Sequence, residues 1–130
     1  MHPISLLQNQ LVAALKADAA LAAIIGNGVF DAPPKGRAAP YVVIARHDVI
    51  QRDGDLTPGQ EHRVLLHCWS DQPSRTRALD MVERVVAVAV GLVGAGLVVT
   101  HAEHVRTETD IDSKTGNARA AVTLRFLSES

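Results

Sequence analysis

The chain has 130 residues, of which 47% are hydrophobic and 21% charged, the balance of an ordinary globular fold and not of a disordered, collagenous or disulfide-built one. Thirteen basic against fourteen acidic residues leave a formal net charge of -1, so no whole-molecule field steers the protein to nucleic acid or anionic lipid. Cys68 is the only cysteine, which excludes an internal disulfide and a thiolate metal cluster and fits a reducing compartment.

One domain spanning 1–130 is expected, because a chain of this length buries roughly two-thirds of its unfolded surface without staples. With 3% aromatic residues, its core must be built from Val, Leu, Ile and Ala. The first ten residues carry no basic region or small-residue cleavage site, so they do not read as a signal peptide. Ile4, Leu7, Leu11, Ala14 and Leu15 recur at helical spacing, which predicts an amphipathic helix starting near Pro3 or Ser5. Asp18 can cap a shorter second helix with Leu21, Ala22, Ile24 and Ile25 on its apolar side, and Gly26 can end it in the left-handed conformation.

Val29 to Ala32 then reads as a brief extended piece stopped by Pro33 and Pro34, and Tyr41 to Arg46 as a strand. Arg46 to Gln60 offers few large hydrophobes around Asp53, Gly54, Asp55, Pro58 and Gly59, and reads as a long mobile connection. Glu61 to Trp69 resumes as a strand with Val64, Leu66 and Cys68 on one face. Asp71, Pro73 and Ser74 form a helix-start signature. The helix that follows is expected to bury Leu79, Val82, Val86, Ala89 and Val90 and to expose Arg77, Asp80 and Arg84.

Val85 to Val99 lacks any charge, yet it falls short of the roughly twenty residues of a membrane span, and Gly91, Gly94 and Gly96 crowd its second half. It reads as a helix end, a glycine turn and a strand start. Leu97 to Thr109 is the next strand, Asp110 to Asn117 the polar reversal, and Ala118 to Leu127 the last strand, with Ala120, Val122, Leu124 and Phe126 on one face. The order α-α-β-β-β-α-β-β predicts an α+β fold, an antiparallel sheet of about four strands with helices packed on one face.

Constellations for chemistry do not assemble. His101 and His104, like His62 and His67, have spacings that send them to opposite faces of a strand, where they cannot chelate one ion. The glycines after the long helix precede a strand, whereas a dinucleotide loop must precede a helix whose N-terminus holds the phosphate. No serine sits in a G-x-S-x-G elbow, and Cys68 falls on the apolar side of its strand. Asp53 with Asp55, and Asp110 with Asp112, read as solvated turn residues, so no catalytic, cofactor-binding or metal-ligating residue is expected. Arg119, Thr123 and Arg125 share the non-core face of the last strand, with Arg106 beside them, a surface equally suited to solvent or to a partner.

Taken in order, helix end LKADAALAAIIG (15–26), GVFDAPP (28–34), APYVVIA (39–45), a polar connection, HRVLLHCWS (62–70) leading into a helix, and ARAAVTLRF (118–126) after a polar reversal make the whole chain resemble the tail terminator, or tail-completion, family of long-tailed phages and gene transfer agents. The resemblance implies a structural, non-enzymatic virion subunit, made in the bacterial cytoplasm and without a cofactor. In that family's manner it would form a ring with copies of itself, commonly a hexamer, that caps the head-proximal end of the tail tube and halts its polymerisation. Its partners would be the tail-tube protein and the head connector or neck protein, with DNA passing through unread.

Ring closure needs one surface of a subunit to meet a different surface of its neighbour, and exposed sheet edges suit that. The partner-facing candidates are Arg46, Asp48, Gln51, Arg52, Asp53 and Asp55 on the first polar segment, Asp110, Asp112, Lys114 and Asn117 on the second, and Arg119 and Arg125 on the sheet. Both polar segments are expected to order on contact with a partner. The alternatives are a neck or head-completion protein at the portal, or a small ligand-binding or enzyme domain on a ferredoxin-like sheet.

Overall fold

A computed structural model describes residues 2–53, 58–92 and 99–129 of the chain. Helix α1 (Pro3–Ala17) begins where the His2 ring accepts the Ile4 N–H and Pro3 fills the first turn, a position where the missing proline donor is not needed. Asp18 closes α1 and opens α2 (Ala19–Ile25): its own N–H donates to the Leu15 carbonyl, while its carboxylate accepts from Leu21 N–H. Gly26, at φ 61°, ends α2 in the region that favours glycine. Helix α3 (Arg75–Val90) starts from the Ser74 hydroxyl, which accepts the Arg77 N–H. Arg84 of α3 grips the Asp18 carboxylate with Nε at 3.0 Å and Nη2 at 2.7 Å, fastening the α1–α2 corner to the long helix.

Five strands form one sheet in the order β1-β2-β3-β5-β4: β1 (Val29–Phe30), β2 (Tyr41–Asp53), β3 (Pro58–Trp69), β4 (Val99–Ile111) and β5 (Ala118–Glu129). Every neighbouring pair is antiparallel except β1 and β2. The expected α+β layout holds, with the helices on one face. The strand beyond the four anticipated is β1, the brief extended piece, which finds backbone partners by lying parallel to Val42 and Val43.

Leu7, Leu11 and Leu15 of α1, Leu21 and Ile25 of α2, and Ala78, Met81 and Val85 of α3 pack on Val42, Ile44, Val64, Leu66, Cys68, Val122, Leu124 and Phe126. Each of those sheet residues points to the helical side, as pleating requires. Burial of this aliphatic layer, at roughly 25 cal/mol per Å² of apolar surface, is the principal stabilising contribution.

Three expectations need correction. The buried stripe of α3 is Ala78, Met81, Val82, Val85 and Ala89, and Leu79 and Val90 are exposed. Its C-terminal half is apolar on nearly every side, so helical periodicity alone does not fix the rotation; Arg84 reaching Asp18 does. The second correction concerns Arg46 to Gln60. Arg46–Asp53 and Pro58–Gln60 are not a long connection but the outer halves of a hairpin, paired from Arg46↔Leu65 to Asp53↔Pro58. A bulge between Ile44 and Arg46 inserts one residue and breaks the alternation that would otherwise announce a strand. The second polar reversal is likewise shorter than expected, because Asp110 and Ile111 belong to β4. Of the glycine turn after α3, residues 93–98 lie outside the described residues.

Candidate assembly surface

The face of the sheet turned away from the helices collects the charged residues. In β2 it carries Arg46, Asp48, Ile50 and Arg52, in β3 Glu61, Arg63, Leu65 and His67, in β5 Arg119, Thr123 and Arg125, and in β4 Glu103, Arg106, Glu108 and Asp110, all placed by register. Its centre is Glu61, whose side chain is only 2% exposed although it lies on the face turned away from the helices. Three guanidinium groups enclose it: Arg52 Nε at 2.6 Å, Arg125 Nη2 at 3.0 Å and Arg63 Nε at 3.2 Å. The hydrogen bond from Arg125, assisted by Arg63 and by the positive charges of Arg125 and Arg52, outweighs desolvation and draws the Glu61 carboxyl down to about 2. Arg125 also holds Glu103 through Nη1 at 3.0 Å.

The basic residues of this face are therefore not free. Arg119 donates to Asp110 at 2.6 Å, Arg46 to Asp48 at 2.7 Å, and Arg106 to Glu108. With each arginine matched to a carboxylate, the face is a ladder of opposite charges and not the basic strip that would grip a phosphate backbone.

The twelve candidate residues fall into separate groups. Arg46, Asp48 and Arg52 line the charged face along β2, while Gln51, opposite Gln60, belongs to the helical side. Asp53 is the last residue of β2, and Asp55 lies outside the described residues. Asp110, Arg119 and Arg125 sit on the charged face. Asp112, Lys114 and Asn117 form the β4–β5 turn, where Asp112 accepts from both the N–H and the hydroxyl of Thr115, and Asp112 N–H donates to the Asn117 carbonyl. Those bonds, the hydroxyl's first, hold the Asp112 carboxyl below its ordinary value.

The structure thus does not gather the two polar reversals at one place. Tyr41 pairs with Trp69, Trp69 with Arg119 and Arg119 with Asp110, so the 112–117 turn lies at that end of the sheet. Asp53 and Pro58 lie at the other end, roughly 35–40 Å away along strands rising about 3.3 Å per residue.

A buried polar chain was not visible in the sequence, because His47 falls in the segment read as a connection. His47 Nε2 lies 2.9 Å from His62 Nδ1, His62 Nε2 lies 3.2 Å from the Ser128 hydroxyl, and that hydroxyl donates to Gln60 Oε1 at 3.2 Å. Since Ser128 gives its proton to Gln60, it must accept from His62. His62 Nδ1 is then a lone pair accepting from His47, and His47 Nδ1 is left as a buried acceptor without a hydrogen-bond partner among the described residues. Both imidazoles are neutral in this arrangement. Burial, then the neighbouring His62, pushes His47 down to about 4, and burial lowers His62 as well.

Serine, histidine and histidine in sequence invite comparison with a relay, but Ser128 and His62 are buried and the hydroxyl proton points away from the imidazole. Cys68 is equally withdrawn, its thiol pushed up to about 12 by burial. His101 and His104 pair with Leu127 and Leu124 on opposite faces of β5, as do His62 and His67 with Phe126 and Ala121. A groove of about 560 Å³ between α1 and β1 is lined by Gln8, Asn9, Val12, Lys16, Phe30 and Asp31 among others, with no serine, threonine, cysteine or histidine among the lining residues. Among the described residues no group of three or more His, Cys, Asp or Glu could hold a metal ion, and no helix is long and apolar enough to cross a membrane.

Residues 9–129 match the family model described as "Tail completion protein gp17". No curated protein sequence matches the chain. Among solved structures, a chain from "Virion of native gene transfer agent (GTA) particle" superposes with a TM-score of 0.85 at 25% identity, covering 100% of both chains. The "Structure of bacteriophage SPP1 gp17 protein" superposes with a TM-score of 0.61 at 20% identity over 94% of this chain and 88% of that one, a likeness of fold.

Proposed function

The chain belongs to the tail completion protein gp17 family, and from that membership we propose that it is a structural subunit of a phage or gene-transfer-agent virion, acting as one domain over its 130 residues. Copies of it form a ring, most simply a hexamer, on the head-proximal end of the tail tube. The ring stops tube polymerisation and offers the surface on which the head connector seats. The match running through nearly the whole chain, joined to the end-to-end likeness with a gene-transfer-agent virion chain, is the observation that carries this reading.

The physical chemistry fits a passive part. A ring that lets DNA through must not hold it, and the paired charges of the uncovered sheet face leave few free cations for phosphates. No group among the described residues is both accessible and activated for bond making, so catalysis has no place in the proposal. The polar segments at opposite ends of the sheet suit a subunit placed between two different neighbours. One end carries Asp110, Asp112, Lys114, Asn117 and Arg119. The other carries Gln51, Arg52 and Asp53, with Arg46, Asp48 and Arg125 between; Asp55, outside the described residues, is proposed as a partner-facing residue from the sequence alone. In this proposal one end meets the tube and the other the connector.

Electron micrographs of particles made without this gene test the reading. Overlong tails and unattached heads are expected; joined particles with tails of normal length would refute it. Headless tails of normal length would place the subunit at the portal instead.

A further inference from the structure

Two long backbone edges of the sheet have no strand beside them among the described residues. One is β4, the last strand of the order, and the other is β2 beyond Val43, because β1 covers only Val42 and Val43. Unpaired edges present alternate N–H and carbonyl groups outward and recruit another strand unless something blocks it. Their directions are compatible: β2 and β4 run oppositely across the sheet, since three antiparallel steps separate them. A second copy in the same orientation, placed beside the first, therefore brings β4 of one antiparallel to β2 of the other with the charged faces on the same side.

The side chains along these edges select a register. On β2 the charged face reads Arg46 then Asp48, and on β4 it reads Arg106 then Glu108, each pair bonded within its own strand. Antiparallel alignment reverses one of them, so Arg106 stands opposite Asp48 and Glu108 opposite Arg46. A shift of two residues sets Glu108 against Asp48 or Arg106 against Arg46, and a shift of one turns the charges of one strand to the helical side. Exposed hydrophobes fall in the same stretches. Ile50 is 54% exposed on β2 and Val105, at the β4 bulge between His104 and Arg106, is 44% exposed.

We propose that subunits join by sheet continuation, the outer edge of β4 in one copy hydrogen-bonding to the outer edge of β2 in the next, in the register that sets Arg106 against Asp48 and Glu108 against Arg46. The inference rests on the ring reading and supplies its interface. Because the two surfaces differ, each copy uses one edge for each neighbour, the heterologous contact from which rings close. Two β2 edges meeting about a two-fold axis also place Arg46 opposite Asp48, but they leave β4 unused and turn every second subunit over, which a ring held between two different partners does not accommodate.

The test exploits the pairs within each strand. R46E/D48R and R106E/E108R each preserve the internal ion pair, so the monomer keeps its stability, but each inverts the charge order along one edge. Assembly of the full-length chain is read by native mass spectrometry, and rings are scored by electron microscopy of purified particles. Either swap alone should weaken assembly about tenfold or more, and the two together should restore it, as expected for exchanging attraction and repulsion at two cross-strand pairs. In particles carrying D48C/R106C, mild oxidation should give a ladder of disulfide-linked multimers, absent with either cysteine alone.

Rings that form equally with one swap and yield no ladder would overturn the proposed edge contact and leave the ring reading standing. Loss of oligomers only on changing β2, with swaps of β4 silent, would overturn it in the same way. Particles with no ring of this chain at all would remove the ring reading, and the interface with it.

Discussion

Replacing Glu61 with Gln probes the centre of the uncovered face. Its principal partner is Arg125, whose side chain is 23% exposed, and a hydrogen bond to a charged group in such a setting contributes about 1.5–3 kcal/mol. Arg52 and Arg63 are 60% and 52% exposed, so solvent screening limits each to at most about 1 kcal/mol. Glutamine keeps one acceptor oxygen, and the expected loss at pH 7 is about 2 kcal/mol, read from urea denaturation of the monomer by circular dichroism.

Acid supplies the control for that substitution. The folded carboxyl is held at about 2, below its ordinary 4.5, so its stabilising contribution is complete above about pH 4.5 and disappears as pH falls through 2. By pH 3 the difference between wild type and E61Q should shrink to less than about half its neutral value. Asp18 and Asp112 are also shifted down, but they lie outside the Glu61 cluster and cancel in the difference; Glu103 shares Arg125 with Glu61, so both proteins are compared in an E103Q background. A neutral-pH difference below about 0.5 kcal/mol, or one that does not diminish in acid, would refute the view that the three arginines stabilise a buried charge.

His47→Gln addresses a different pH window. His47 is depressed to about 4 from 6.5, so the unfolded chain takes up a proton that the folded one refuses, and wild-type stability falls as pH drops from 6.5 through 4. The variant should lose part of that slope, and an unchanged slope between pH 6.5 and 4 would contradict the neutral-pair assignment. Gly28→Ala tests the corner before β1. An added Cβ would stand 2.6 Å from Arg37 Nη2 and 2.9 Å from the Ile25 carbonyl oxygen. Arg37 can swing away only by giving up its bonds to Ile25 and Asn27 and its place over Phe30, so a loss of about 1–3 kcal/mol is expected in the same denaturation assay.

Local chemistry was what the amino acids could announce. Asp18, Gly26 and Ser74 mark helix ends through bonds that span only a few residues, and β3 and β5 alternate cleanly enough to be placed with their faces. Features that depend on distant partners were hidden. The β2–β3 hairpin is polar along one side and bulged at Ala45, so its strand character comes from pairing with residues 58–69 and not from its own pattern. Strand β1 exists only because β2 lies beside it, and the rotation of α3 follows from Arg84 reaching back to Asp18 across 66 positions. Placing His47 in a connection concealed its bond to His62. Of the candidate surface, Arg119 and Arg125 were assigned to the right face, but the carboxylates that neutralise them emerge only from the register.

Trp69, the chain's single indole, ends β3 on the uncovered face, with the Arg119 guanidinium 5.7 Å from its ring centroid and Tyr41 as its cross-strand neighbour. Its emission wavelength and quenching by iodide will therefore respond to whatever settles on the end of the sheet beside the 112–117 turn, and hardly at all to events at the far end. The protein carries its own optical reporter for one of its two poles, and titrating unlabelled tube or connector subunits against that signal tests whether either proposed partner docks there.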